Sequence, residues 1–158
     1  MQNTGIVGLL FSYQGRINRA KYWLAVLIFL VVNLLVAAIG FIMFGNSLLT
    51  LSDATADEGI VVGLISKGIG FFLIALVIYI PLIVAGVFVG IKRLHDRDKS
   101  GWWLLVFYLL PTLLNGLADL SSIFALAAFA ISIWAFVELG CLRGTQGPNR
   151  YGPDPLAS

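Results

Sequence analysis

The chain has 158 residues, of which 59% are hydrophobic and 11% charged, and a mean hydropathy of +0.96, which excludes an ordinary water-soluble domain. Its net charge of +2 and the position of its basic residues beside apolar stretches, not along one solvated face, exclude a nucleic-acid surface. A single cysteine, Cys141 in an apolar run, excludes an internal disulfide and a thiolate cluster and reads as a small buried hydrophobe.

Residues 6–13 are apolar and glycine-containing but too short to cross a bilayer, so they are expected to lie along its surface. Arg16, Arg19 and Lys21 then precede an apolar run over 22–44, too long for a signal-peptide core and long enough for an uncleaved first span. Gly45, Asn46 and Ser47 are expected to open a polar connection carrying Asp53, Asp57 and Glu58. A second apolar run continues from 68 to 91, with Lys67 expected at the membrane surface. The third, 102–117, is short for a span and needs flanking residues or local thinning to cross. The fourth covers 121–142, with Glu138 near its end. Hydrocarbon leaves backbone groups no partner but the chain itself, so these runs are expected to be helices.

Of the ten Lys and Arg, nine fall in three clusters: 16–21, 92–99 and 143–150, with Lys67 apart. Four spans put all three clusters on one side, which the positive-inside rule assigns to the cytoplasm together with both termini. The expected architecture is therefore all-α: a polytopic four-helix membrane bundle forming one domain over residues 1–158, with an ordered cytoplasmic tail at 143–158. Pro81 and Pro111 lie inside spans and should bend or loosen their helices. Gly86 and Gly90 form a small-xxx-small pair suited to close helix approach, within this chain more readily than in a dimer.

Three motifs are more particular than topology requires. They are Gly15-Arg16-Ile17-Asn18-Arg19 followed by Tyr22-Trp23; Lys92-Arg93-Leu94-His95-Asp96 followed by Lys99-Ser100-Gly101-Trp102-Trp103; and the tail from Gly144 to Pro155, containing Asn149, Arg150, Tyr151 and Asp154. Together, in this order and over nearly the whole chain, they resemble the bacterial inner-membrane family known as domain of unknown function 805. The resemblance implies a small multi-span inner-membrane protein and no particular activity, substrate or cofactor. Asp98 departs from the pattern, standing where a glycine is expected before Lys99-Ser100-Gly101-Trp102.

The candidate binding residues are Arg16, Asn18, Arg19, Arg93, His95, Asp96, Lys99, Ser100, Trp102, Asn149 and Arg150. One reading makes them topogenic charge and aromatic anchors, with Ser100 as a helix cap and Trp102 and Trp103 in the headgroup belt. Another has Arg16, Arg19, Arg93 and Lys99 converge on the phosphate of an anionic headgroup, with Asp96 orienting an arginine, since the arginine fork suits phosphate oxygens. A catalytic reading of His95 with Asp96 is weaker, because neighbours on a helix diverge by about 100°. Without a second histidine no histidine-rich metal site forms within the chain. Glu138, the acid within a span, is expected to pair with Arg143 or Arg93, or else to couple ions. The tail is expected to fold back onto the other two motifs.

The expected role is a non-enzymatic structural or accessory component, needing no cofactor, whose partners are the bilayer, its anionic phospholipids, a protein or further copies of itself. A small oligomeric transporter or channel using Pro81, Pro111 and Glu138 is the alternative, and a membrane enzyme on a lipid or phosphate ester the next.

Overall fold

A computed structural model describes residues 5–52 and 58–157. The described residues are helical throughout, apart from turns and one isolated bridge between Asn149 and Gly152. The helices are α1 (Ile6–Phe11), α2 (Arg19–Ser52), α3 (Glu58–Asp96), a π-helical turn (Leu105–Leu109) running into α4 (Leu110–Gly116), and α5 (Ser122–Phe136) running into a second π-helical turn (Val137–Cys141). Three of these, Arg19–Gly45, Val61–Asp96 and Ser122–Cys141, are long and apolar enough to cross a membrane, and Leu105–Gly116 is a shorter apolar helix.

Two boundaries differ from the sequence reading. The first helix does not yield to a connection at Gly45 but continues to Ser52, because single Gly, Asn and Ser residues each cost a helix only about 1 kcal/mol or less and leucines follow them. Asp53 and Asp57 lie outside the described residues. The second helix runs on to Asp96, so Arg93, His95 and Asp96 occupy its last turns and not a loop. Asp98 follows with φ of 55°, in the left-handed region where a glycine is expected and which Asp tolerates better than most side chains.

The chain divides into two compact units, residues 27–83 and residues 1–26 with 84–158. In the first, α2 and α3 run antiparallel, as three contacts show. Tyr79 donates its hydroxyl to Asn33 Oδ1 at 3.0 Å, Phe44 meets Phe71 edge-on at 5.7 Å, and Gly40 leaves room for the Phe71 ring. Pro81 sits inside α3 without ending it.

In the second unit, Leu94, Leu104, Phe107, Ala135 and Leu139 form the buried core, flanked by Tyr22, Ile91, Trp103 and Val106. A Cβ at Gly90 would stand 2.8 Å from Leu104, so this glycine serves a close approach within the chain. Pro111 lies directly after the π-helical turn, which runs unbroken into α4, so the change in hydrogen-bond pattern falls where its N–H is missing. Ser121 caps α5 by accepting from the Ile123 amide.

Candidate functional site

The three motifs meet in the second unit, and what brings them together is the carbonyl end of the last helix. A helix terminus leaves its final carbonyls without intrahelical donors and carries partial negative charge. Here five successive carbonyls each receive a side-chain donor from elsewhere in the chain. Arg93 Nε donates to Leu139 at 2.7 Å, Trp23 Nε1 to Gly140 at 3.1 Å and Arg19 Nη1 to Cys141 at 3.0 Å. Arg93 Nη2 donates to Leu142 and Arg97 Nη1 to Arg143. The apolar helix end is thus held by three arginines and an indole.

Beside it lies a buried ion triad. Asp96 Oδ1 accepts from Arg16 Nε and Nη2 at 3.2 and 3.1 Å, and Oδ2 accepts from Arg93 Nη1 at 2.5 Å. The side chains of Arg16, Arg93 and Asp96 are 1%, 0% and 4% exposed, so neither charge sign can rely on water. Such a group persists only when every donor is placed. Arg16 spends its remaining N–H groups on the tail, donating to the carbonyls of Thr145 at 2.6 Å and Gly147 at 2.8 Å. A Cβ at Gly144 would fall on the Asp96 carboxylate, so the tail can pass this close only as glycine.

The tail is tied down by more than Arg16. Thr145 donates its amide to the Asp96 carbonyl at 2.8 Å, and Asn149 Nδ2 donates to the His95 carbonyl at 2.9 Å. Tyr151 stacks on the His95 ring, with centroids 3.8 Å apart and planes within 6°. His95 Nδ1 faces the Gly15 carbonyl at 3.3 Å, which joins the first motif to the other two. Asp154 accepts from the amides of Leu156 and Gly147, both at 2.9 Å, and these hold its carboxyl below the usual carboxylate range. At the rim Arg150 donates to the Asp98 carboxylate and carbonyl, and the carboxylate, first through its hydrogen bond and then its charge, keeps the guanidinium protonated more firmly than usual.

The expected anion site is therefore rearranged. Arg16 and Arg93 converge on Asp96, and Lys99 turns to Glu138 at 2.9 Å. Glu138 also accepts from Arg97 at 3.0 Å, so its partners are Arg97 and Lys99 in place of the expected Arg143 or Arg93. Arg93 is already spent on Asp96 and two carbonyls, and Arg143 opens onto a groove. Arg97 was missed as a site residue; its presence in a basic cluster one turn beyond Arg93 was the available signal. Lys99 also lies 5.2 Å over the Trp103 ring. Asn18 caps α2, accepting the Lys21 amide at 2.9 Å, and Ser100 faces the Trp102 amide at 3.4 Å. Trp102 itself is 77% exposed. Lys92 donates to the carbonyls of Gly8 and Leu9, fastening α1. Cys141, read as buried, is exposed at the end of the π-helical turn, where it lines the same groove as Arg143.

The groove, of about 570 Å³, is bounded by the start of α2, the last helix end and the tail, and Arg19, Trp23, Arg143 and Asp154 are among its walls. Among the described residues no cluster of three or more His, Cys, Asp or Glu could hold a metal ion.

Comparison with known proteins gives relatives along nearly the whole length. Uncharacterized protein YiiR of Escherichia coli is 30% identical over 151 residues, covering 92% of this chain and 86% of that one. Inner membrane protein YhaH is 27% identical and inner membrane protein YhaI 28% identical, each over 144 residues, 91% of this chain and 87% or 86% of theirs. No solved structure matches. Residues 10–153, which hold all three interlocked motifs, match the family described as "Protein of unknown function (DUF805)", and the chain belongs to that family.

Proposed function

We propose that this chain is a non-enzymatic accessory component of the bacterial inner membrane, whose cytoplasmic face carries the interlocked motifs and binds anionic headgroups or a protein partner. In this reading the shorter helix Leu105–Gly116 with its flanks completes four spans, both termini are cytoplasmic, and the Arg16–Asp96–Arg93 group lies at the inner surface. The observation that carries it is how the polar residues are spent. Asp96 is shared by two buried arginines, His95 is stacked under Tyr151 with Nδ1 on a carbonyl, and Glu138 is held by two cations. These groups lock helix ends and tail together and leave no nucleophile beside a base. The names of two relatives as inner membrane proteins support the location.

The test is purification in mild detergent followed by native mass spectrometry. Retention of phosphatidylglycerol or of one protein in fixed ratio is expected, and a chain that retains neither overturns the reading. Reporter fusions at residue 98 and at the carboxyl terminus should both report cytoplasm, and opposite compartments would remove the topology.

A further inference from the structure

We propose that the groove beside the start of α2 is a phospholipid headgroup site, in which Arg19 and Arg143 take the phosphate diester of an anionic lipid. Most cations of the three motifs are engaged inside the protein: Arg16 and Arg93 by Asp96, Arg97 and Lys99 by Glu138, Lys92 by α1 carbonyls, and Arg150 by Asp98. Two stand apart. Arg19 uses one nitrogen, Nη1, on the Cys141 carbonyl, and among the described residues the Arg143 guanidinium has no hydrogen-bond or ion-pair partner. Both are exposed and both line the same groove. Its volume of about 570 Å³ falls within the usual range for sites that enclose a small ligand.

The electrostatics favour a net negative occupant. Arg19, Arg143, Arg16 and Arg93 stand against the carboxylates of Asp96 and Asp154, four cations against two anions. Asp154 already directs its oxygens at the amides of Leu156 and Gly147. The walls are mixed as a headgroup site requires: Arg19 and Arg143 supply forked donors for phosphate oxygens, while Trp23, in the first turns of a helix apolar enough to span, and Leu156 supply apolar surface for the glycerol and acyl stem. A free phosphate has the same anionic chemistry but leaves the exposed apolar surface of Trp23 and Leu156 uncovered.

This inference rests on the headgroup reading above and places it at one site. Cys141, the chain's single cysteine, lines the groove and reports its occupancy. In the full chain in detergent, maleimide labelling of Cys141 should slow as phosphatidylglycerol is added and stay unchanged with phosphatidylcholine or glycerol phosphate. The double variant Arg19→Ala with Arg143→Ala should weaken that protection by about tenfold or more. Arg143→Ala alone, which removes no internal bond, should weaken it in part, and Lys67→Ala, in the other unit, should leave it intact. Protection that survives in both Arg143 variants overturns the site while leaving a lipid-binding face standing. Equal protection by glycerol phosphate overturns the lipid as occupant. Wild-type chain that retains no phosphatidylglycerol by native mass spectrometry overturns the underlying reading as well.

Discussion

Residues 27–83 and the unit formed by 1–26 with 84–158 are both built on long apolar helices, yet they are held in opposite ways. In the first, Val36 is the single buried apolar side chain among the described residues, and the polar link between its helices is Tyr79 to Asn33. The second buries Arg93, Asp96, Glu138 and Lys92 beside an apolar core. In lipid, apolar side chains gain nothing by leaving hydrocarbon for one another, so a helix pair without polar contacts is specified weakly. The polar unit is where the sequence spends its specificity, because each buried donor or acceptor accepts few alternative arrangements.

The contrast predicts very unequal mutational costs. Asp96→Ala should be the most damaging substitution, since it leaves Arg16 and Arg93 buried without their shared anion; removing one partner of a buried pair typically costs about 3–5 kcal/mol. The chain should fail to accumulate or should unfold at sharply lower temperature in detergent, and a wild-type melting curve would show that the triad is not what holds the unit. Gly144→Ala should come next, because its methyl group would meet the same carboxylate and force the tail away. It should raise amide hydrogen exchange over 145–152 while leaving α5 protected, and unchanged exchange would mean the tail docks by another route.

Glu138→Gln should cost less, roughly 1–2 kcal/mol, because Arg97 and Lys99 are 24% and 29% exposed and water screens their unpaired charge. The same variant separates the accessory reading from a transporter. If liposome flux exists and this change abolishes it, Glu138 couples ions; a loss of thermal stability without any flux keeps it as a structural pair. In residues 27–83 the corresponding polar change, Tyr79→Phe, should cost only about 0.6 kcal/mol, the average for a hydrogen bond between membrane helices. A loss comparable to that at Asp96 would erase the distinction between the units.

The same distinction decides what could be read from the sequence. Hydropathy marked apolar runs at 22–44, 68–91 and 121–142, and the helices that contain the first two extend beyond them, to Arg19–Ser52 and Glu58–Asp96, because helix length is not fixed by apolar composition alone. The return of the tail was legible from glycines and Asn149 in a non-helical stretch, whereas Asn18, read as a binding candidate, caps α2 instead. Which cation meets which anion was not. Arg93 and Asp96 are three residues apart on α3, a pair that spacing alone offers, but the register of α3 against the last helix is what brings Arg97 to Glu138, and the fold is what brings Arg16 to Asp96. The exposure of Cys141 depends likewise on a π-helical turn that no local signal announces.

The smallest expected effect lies at the edge of the polar unit and turns on pH. Asp154 accepts the amides of Leu156 and Gly147 in the folded tail, so its carboxyl titrates lower there than in an unfolded chain. A depressed folded value means that its contribution is fully present above the ordinary carboxylate range, about pH 4, and is lost as pH falls through the folded value. Protection of the Gly147 and Leu156 amides, taken relative to a free peptide at each pH, should therefore be flat from neutrality to about pH 5 and decline below about pH 4. Asp154→Asn keeps an acceptor oxygen but no titrating group, so it should lower protection slightly and flatten that decline. The triad remains charged over most of this interval only if its own arginines hold Asp96 ionised, so a decline that persists in Asp154→Asn would assign the acid sensitivity to the buried triad and not to the rim.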